Sequence, residues 1–312
     1  MLNFKRDPRF ASLLGFVVMV LLWGSFPVVA KIGVAYVPPL LLSGMRFCLA
    51  FCIMAAIALL QRKTLAMTWR QHRQVFLISL LMVGIPSSIF FAAAPYAPAG
   101  VLTLMWSTTP IFTSLFSFGV TGEARGWRLL SSLCLGMLGI VIVLLGRVPF
   151  WPGTQMHAGQ IFASSGAALV GEVAVLGSSV IYGLGMRAAR THSPDVPVLV
   201  LTCWQLLYSG LFITLLGLLF ERGYPFSPTW TALGALLYLS IFCSCISFFL
   251  MFWLIRRIGA IRTAYSDFII PAVTLLLSYL FLGESLTLAK VGGMLLVMAS
   301  ILLVATATRK PE

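Results

Sequence analysis

Two stretches of the chain decide its architecture: TTPIFTSLFSFGVTGE at residues 108–123 and IIPAVTLLLSYLFLGE at residues 269–284. They align without a gap under a shift of 161 residues, which places Pro110 on Pro271 and Gly122-Glu123 on Gly283-Glu284. Ala99 falls on Ala260 under the same shift. Further upstream the shift becomes 159: Trp23-Gly24 meets Tyr182-Gly183, Lys31 meets Arg190 and Arg46 meets Gln205. Matched Pro, Gly and Glu are not apolar filler, so the pattern reads as an internal repeat.

The composition around the repeat is that of a membrane protein. Of 312 residues, 60% are hydrophobic and 9% charged, against about 25% charged in soluble domains. Mean hydropathy is +1.02. A soluble enzyme, a disordered chain and a disulfide-rich secreted domain are excluded. The six cysteines (Cys48, Cys52, Cys134, Cys203, Cys243, Cys245) fall in apolar stretches and form no CxxC; they read as small packing residues. His72, His157 and His192 are assigned to loops, and no metal-binding spacing or cofactor motif is present.

A membrane helix takes about 20 apolar residues. Ten stretches qualify: 11–33, 38–60, 74–94, 98–119, 128–146, 168–187, 196–220, 231–255, 259–281 and 288–306. The segment from Gln74 to Gly122 carries no charge, and Pro95 to Pro98 divides it, because proline ends a helix and pushes its predecessor out of helical geometry. The apolar runs lack the alternation of barrel strands. The first run follows a basic start but is too long for a signal peptide and is read as a retained helix.

The net charge of +13 is a matter of topology. With both termini cytoplasmic, sixteen of the 21 Lys and Arg fall on inner segments and three (Arg147, Arg222, Lys290) on outer ones; Lys31 and Arg46 lie within or at the edge of spans. Such a bias sets the orientation and removes the case for nucleic-acid binding. Five spans per repeat is an odd number, so the second copy enters the membrane from the opposite side. The expected fold is all-α: ten transmembrane helices as two inverted five-helix repeats (11–146 and 168–306, joined by an extracytoplasmic connector 147–167) around a central cavity. Inverted repeats are a mark of secondary transporters.

Several residues carry the resemblance to a known family. Leu22-Trp-Gly-Ser-Phe-Pro-Val-Val-Ala-Lys31, Pro38-Pro39 and Arg46-Phe47 resemble the start of an EamA-type repeat; Thr109-Pro110 with Gly122-Glu123, and Pro271 with Gly283-Glu284, resemble its second half. The resemblance to EamA-type members of the drug/metabolite transporter superfamily covers residues 11–306. It implies two inverted five-helix halves and export of small metabolites, often amino acids, across a bacterial inner membrane. Two departures, Ala-Arg after Glu123 and the long connector, leave the substrate open.

Candidate residues follow from the cost of polarity in lipid. Asp267 is placed inside a span, where a carboxylate costs about 2.5–3.5 kcal/mol; such groups mark substrate or proton paths, or make a structural bond to a neighbouring helix. Arg46 lies roughly 12 Å deep, close enough in level to pair with Asp267; alternatively it grips a substrate carboxylate with its fork. Trp106, Thr109, Tyr182, Gln205 and Tyr265 are further cavity candidates. Pro110 and Pro271 are hinge candidates; Pro27 and Pro86 also lie in spans. Lys31, Glu123 and Glu284, at span ends, are gate candidates against a reading of snorkelling and helix-end solvation. Glu172 is taken as interfacial. Gly136, Gly139 and Gly292-Gly293 read as close-packing positions.

The expected function is a secondary exporter of small organic metabolites by alternating access. The rivals are a flippase for a lipid or lipid-linked sugar and a membrane-embedded enzyme, which lacks a nucleophile with a base. No Walker A sequence is present, so a gradient drives transport; Asp267 offers a proton site. Partners are a small-molecule substrate and the bilayer, with the chain a monomer or homodimer.

Overall fold

A computed structural model describes residues 8–121, 126–145, 165–191, 196–258, 263 and 266–307, with no strand among them. The helices are α1 (Pro8–Val34), α2 (Pro39–Leu60), α3 (Trp69–Ser79), α4 (Ile85–Ala93), α5 (Ala99–Trp106), α6 (Thr109–Thr121) and α7 (Gly126–Leu145). They continue with α8 (Ser165–Thr191), α9 (Val198–Phe220), α10 (Trp230–Tyr238), α11 (Ser247–Ile258), α12 (Ser266–Leu282) and α13 (Leu288–Ala307). Among the described residues six helices are long and apolar enough to cross a membrane.

Local chemistry sets the boundaries. Proline opens α2 at Pro39, preceded by Pro38, and Pro197 precedes α9; proline is tolerated in the first turn because that N–H has no intrahelical acceptor. Thr68 and Thr229 cap α3 and α10, each accepting from a backbone N–H three residues on; Gln71 completes a capping box with Thr68. A wide π turn, Leu80–Gly84, joins α3 to α4, and another, Leu239–Ile246, joins α10 to α11. Their first residues differ by the same shift that carries Arg46 onto Gln205.

Small residues decide how the helices meet. Along α2, Leu41, Gly44 and Cys48 face Gly217, Thr214 and Gly210 of α9 in turn. Numbers rise on one helix and fall on the other, so the two run antiparallel. The same holds for α7 on α13: Gly136, Gly139 and Val143 face Ser300, Leu296–Val297 and Gly293. A methyl on Gly139 would lie 2.7 Å from the Gly293 carbonyl oxygen, and one on Gly293 would lie 2.6 Å from that of Gly139. Backbones this close are what small-residue membrane interfaces allow. Gly24 of α1 admits Val273 of α12, and Thr274 Oγ1 donates to the Gly24 carbonyl at 2.8 Å. Gly183 of α8 admits Phe112 and Thr113 of α6.

Apolar side chains such as Leu13, Leu14, Val17 and Leu21 stand exposed on α1, and Leu218 to Phe220 on α9, as lipid-facing surfaces do. The larger buried cluster gathers Phe90, Phe91, Leu102, Leu104, Met105 and Ile111 with residues of α1, α8 and α12. Glu221, just past α9, accepts from the Leu40 and Leu41 N–H groups at 2.8 and 3.0 Å and so caps α2. Burial pushes its carboxyl above the ordinary carboxylate range, against the opposing pull of those two bonds.

One expectation is corrected here. His72 is in helix α3, not a loop, and its Nδ1 lies 2.6 Å from the Tyr208 hydroxyl, with Trp204 edge-on at 4.6 Å. Glu172 sits within α8 and is fully buried among the helices.

Candidate functional site

The Gly-Glu pair has a physical meaning in the second half. Gly283, at φ +64°, turns the chain back after α12, a backbone conformation that glycine adopts without steric cost. The Glu284 N–H then donates to the Ser278 carbonyl at 3.2 Å, and its carboxylate reaches the start of α5. Oε1 accepts from Ala99 N–H at 2.7 Å and from Lys31 Nζ at 3.1 Å; Oε2 accepts from Gly100 N–H at 3.4 Å. Lys31 Nζ also donates to the Ala97 carbonyl at 2.9 Å. An anion at a helix N-terminus is favoured by the unpaired amides and the helix dipole. One carboxylate thus ties together α1, α5 and α12, and the Lys31 ammonium turns inward to it.

The helix break between α5 and α6 follows from Pro110. Proline cannot donate to the carbonyl four residues back, here that of Trp106. Hydroxyls take over: Thr109 Oγ1 donates to the Trp106 carbonyl, Thr108 Oγ1 to the Met105 carbonyl at 2.7 Å, and Ser179 of α8 to Met105 at 3.1 Å. Thr109 therefore spends its hydroxyl on the backbone. Pro271 sits differently, within the continuous α12.

Arg46 is 5% exposed. Its Cζ lies 4.6 Å from the centroid of Phe26, 4.1 Å from Phe47 and 5.0 Å from Phe91. No ion pair or hydrogen bond to a described residue neutralises the guanidinium, and Nε is buried without a partner. Cys243 is within electrostatic reach; it lies beside Trp23, whose Nε1 donates to the Cys243 carbonyl at 3.3 Å. Asp267 lies on α12, whose described residues run from Ser266. The Arg46–Asp267 pair admitted by the sequence is not formed.

Rings surround and extend from Arg46 instead. Phe26 is 5.3 Å from Phe90, Phe90 is 6.2 Å from Trp106, and Trp106 is 5.9 Å from Tyr182, centroid to centroid. The structure therefore strings Arg46, Trp106 and Tyr182 along one aromatic tract. Gln205 is half-buried on α9 without a hydrogen bond to them. Glu123, Tyr265 and most of the connector lie outside the described residues. The sequence reading missed Phe26, Phe47, Phe90 and Phe91, the hydroxyl of Ser179 and the α5 amides as partners of Glu284. A deep arginine is the signal that prompts a search for rings; nothing in the sequence says which rings.

A separate cleft of about 580 Å³ opens between α3 and α8, lined by Trp69, Arg70, Arg73, Gln74, Leu77, Ile78 and Ala188. It holds none of the candidate residues. No group of three or more His, Cys, Asp or Glu suited to a metal occurs among the described residues.

Comparison with known proteins agrees with this helical architecture. A solved crystal structure, 21% identical, aligns at a TM-score of 0.63 over 94% of this chain and 96% of the other. The "Uncharacterized transporter YoaV" of Bacillus subtilis (strain 168) is 23% identical over 93% of this chain and 94% of its own length. The "Probable amino-acid metabolite efflux pump" of Salmonella typhimurium (strain LT2) is 27% identical over 95% of this chain and 94% of its own. The model of the EamA-like transporter family matches twice, over residues 10–145 and 169–306. The chain therefore belongs to the EamA-like transporter family of the drug/metabolite transporter superfamily.

Proposed function

We propose that this protein exports small organic metabolites across a bacterial inner membrane by alternating access. In this reading ten spans form two inverted five-helix halves, 11–146 and 168–306, with both termini cytoplasmic, and the substrate sits between them. The observation that carries the reading is the antiparallel contact of like-placed helices, α2 on α9 and α7 on α13. In an inverted pair of bundles like-placed helices run antiparallel, and in two bundles threaded the same way they would run parallel. The double family match supports the same division. The relative whose name records amino-acid metabolite efflux supports the direction and the size of the cargo.

The candidate residues take roles on this basis. Lys31, Glu284 and the α5 amides latch the outer side, and Glu123 is the counterpart latch on the inner side. Pro110 and Pro271 are the hinges. Arg46, Trp106, Tyr182 and Asp267 line the route, with Thr109, Gln205 and Tyr265 as further lining. The chain performs no covalent chemistry. Asp267 offers a site where a proton can couple to transport.

The test is reconstitution in liposomes preloaded with a mixed amino-acid panel, with and without a pH gradient. Wild type should release at least one compound faster than protein-free vesicles. If the coupling is to protons, the gradient should accelerate release by wild type and not by Asp267→Asn. Release no faster than from protein-free vesicles for every compound would overturn the metabolite reading.

A further inference from the structure

A guanidinium that is withdrawn from water and has no carboxylate beside it is costly to keep charged in a protein interior. Such groups in membrane proteins face partners or a pathway. Three phenylalanine faces surround Arg46. Ring faces attract a cation without neutralising it or saturating its N–H donors, so the cage holds the fork in position and leaves it able to take two more hydrogen bonds. The Arg46 guanidinium has no ion pair or hydrogen bond among the described residues.

Carboxylates do exist in the described chain, and none is spent on Arg46. Glu284 is taken up by Lys31 and the α5 amides, and Glu221 by the start of α2. Asp267 makes no ion pair with Arg46, and the rings that run from Phe26 through Phe90 and Trp106 to Tyr182 carry no carboxylate.

Resting on the transport reading above, we infer that Arg46 is the residue that selects the cargo: it grips a carboxylate by its fork, and the cargo is an organic carboxylate whose flat apolar body lies along the rings of Phe90, Trp106 and Tyr182. A planar carboxylate matches the guanidinium fork in a bidentate pair, which a lysine cannot reproduce. A second negative charge would meet no further cation on the tract, so a monoanion fits better than a dianion. An organic cation brought to the same place would face Arg46 and be repelled.

The experiment uses three probes that share one benzyl group: phenyllactate, which has the carboxylate and no amine; L-phenylalanine, which has both; and phenylalanine amide, which has the amine and no carboxylate. Release from preloaded proteoliposomes is measured against protein-free vesicles, and the melting temperature of the purified protein is followed with each probe. Phenyllactate and phenylalanine should be released and should stabilise the protein; phenylalanine amide should do neither. Arg46→Gln should cut release of both carboxylates by about tenfold or more, and Arg46→Lys should restore only part of it. Two results would overturn the inference while leaving transport intact: equal handling of phenylalanine amide, or unchanged release by a folded Arg46→Gln. Failure of all three probes to move or to stabilise wild type would also overturn it, and the mixed panel would then report separately on transport. If Arg46→Gln proves unstable, the wild-type melting shifts and the Arg46→Lys release rates decide.

Discussion

Two crossings in the molecule invite comparison. Where α1 meets α12, Gly24 leaves room for Val273 and Thr274; where α8 meets α6, Gly183 leaves room for Phe112 and Thr113. Under the shifts that align the halves, Gly24 matches Gly183, Phe112 matches Val273 and Thr113 matches Thr274. At other matched positions the likeness ends: Arg46 corresponds to Gln205, and Asp267 to Trp106. Close packing depends on volume, and the same small residue serves both crossings. A site for one asymmetric molecule has no use for two equal poles, so the charged positions diverged while the glycines stayed.

The most severe break of that comparison is at the contacts themselves. A methyl on Gly44 would lie 2.3 Å from Thr214 Oγ1 and 2.7 Å from its backbone nitrogen. Gly44→Val should therefore cost about 3 kcal/mol and leave little monodisperse protein on size exclusion in detergent. Next is Glu284→Ala, which strips an acceptor from Lys31, Ala99 and Gly100. The pair is partly open, with Lys31 24% exposed at the side chain, so a loss of about 2 kcal/mol is expected, below the range for fully buried pairs. Thermal unfolding reads it, and Glu284→Gln should recover part of the loss through its amide oxygen.

A finer test is Gly24→Ala against Gly183→Ala. Each should destabilise by about 1–3 kcal/mol, with Gly24 the worse. Its new methyl meets the branched Val273 at 2.5 Å, whereas the nearest atom at Gly183 is 3.0 Å away. Equal melting temperatures would break the ranking. The smallest effect belongs to the caps: Thr68→Ala and Thr229→Ala should each cost about 1 kcal/mol, and comparable losses would sharpen the equivalence of α3 and α10.

Much of this was legible from the residues. The apolar runs fall within a few residues of the helices described, because hydropathy, proline and capping act locally. Arg46 shows the limit: its depth admitted a pair with Asp267, and the fold does not form it. Glu172 shows another: its place near the start of an apolar run says nothing of its burial, which depends on which neighbour packs over the helix, and α4 packs over α8 there, with Ala93 against Gly171.

The sequence by itself determined that the chain lives in lipid, that it is helical, that one Pro and Gly-Glu pattern recurs in its two halves, and that Gly283 and Glu284 end an apolar run with a carboxylate. Only the tertiary structure decided that this carboxylate caps α5 and holds Lys31, and that Arg46 rests among three phenylalanines and away from Asp267. The reason is geometric. Lipid enforces helices from composition alone, while the meeting of two side chains depends on how each helix is rotated about its axis and how closely it crosses its neighbour. Those angles are set by the small residues at the crossings, far in sequence from the groups they bring together.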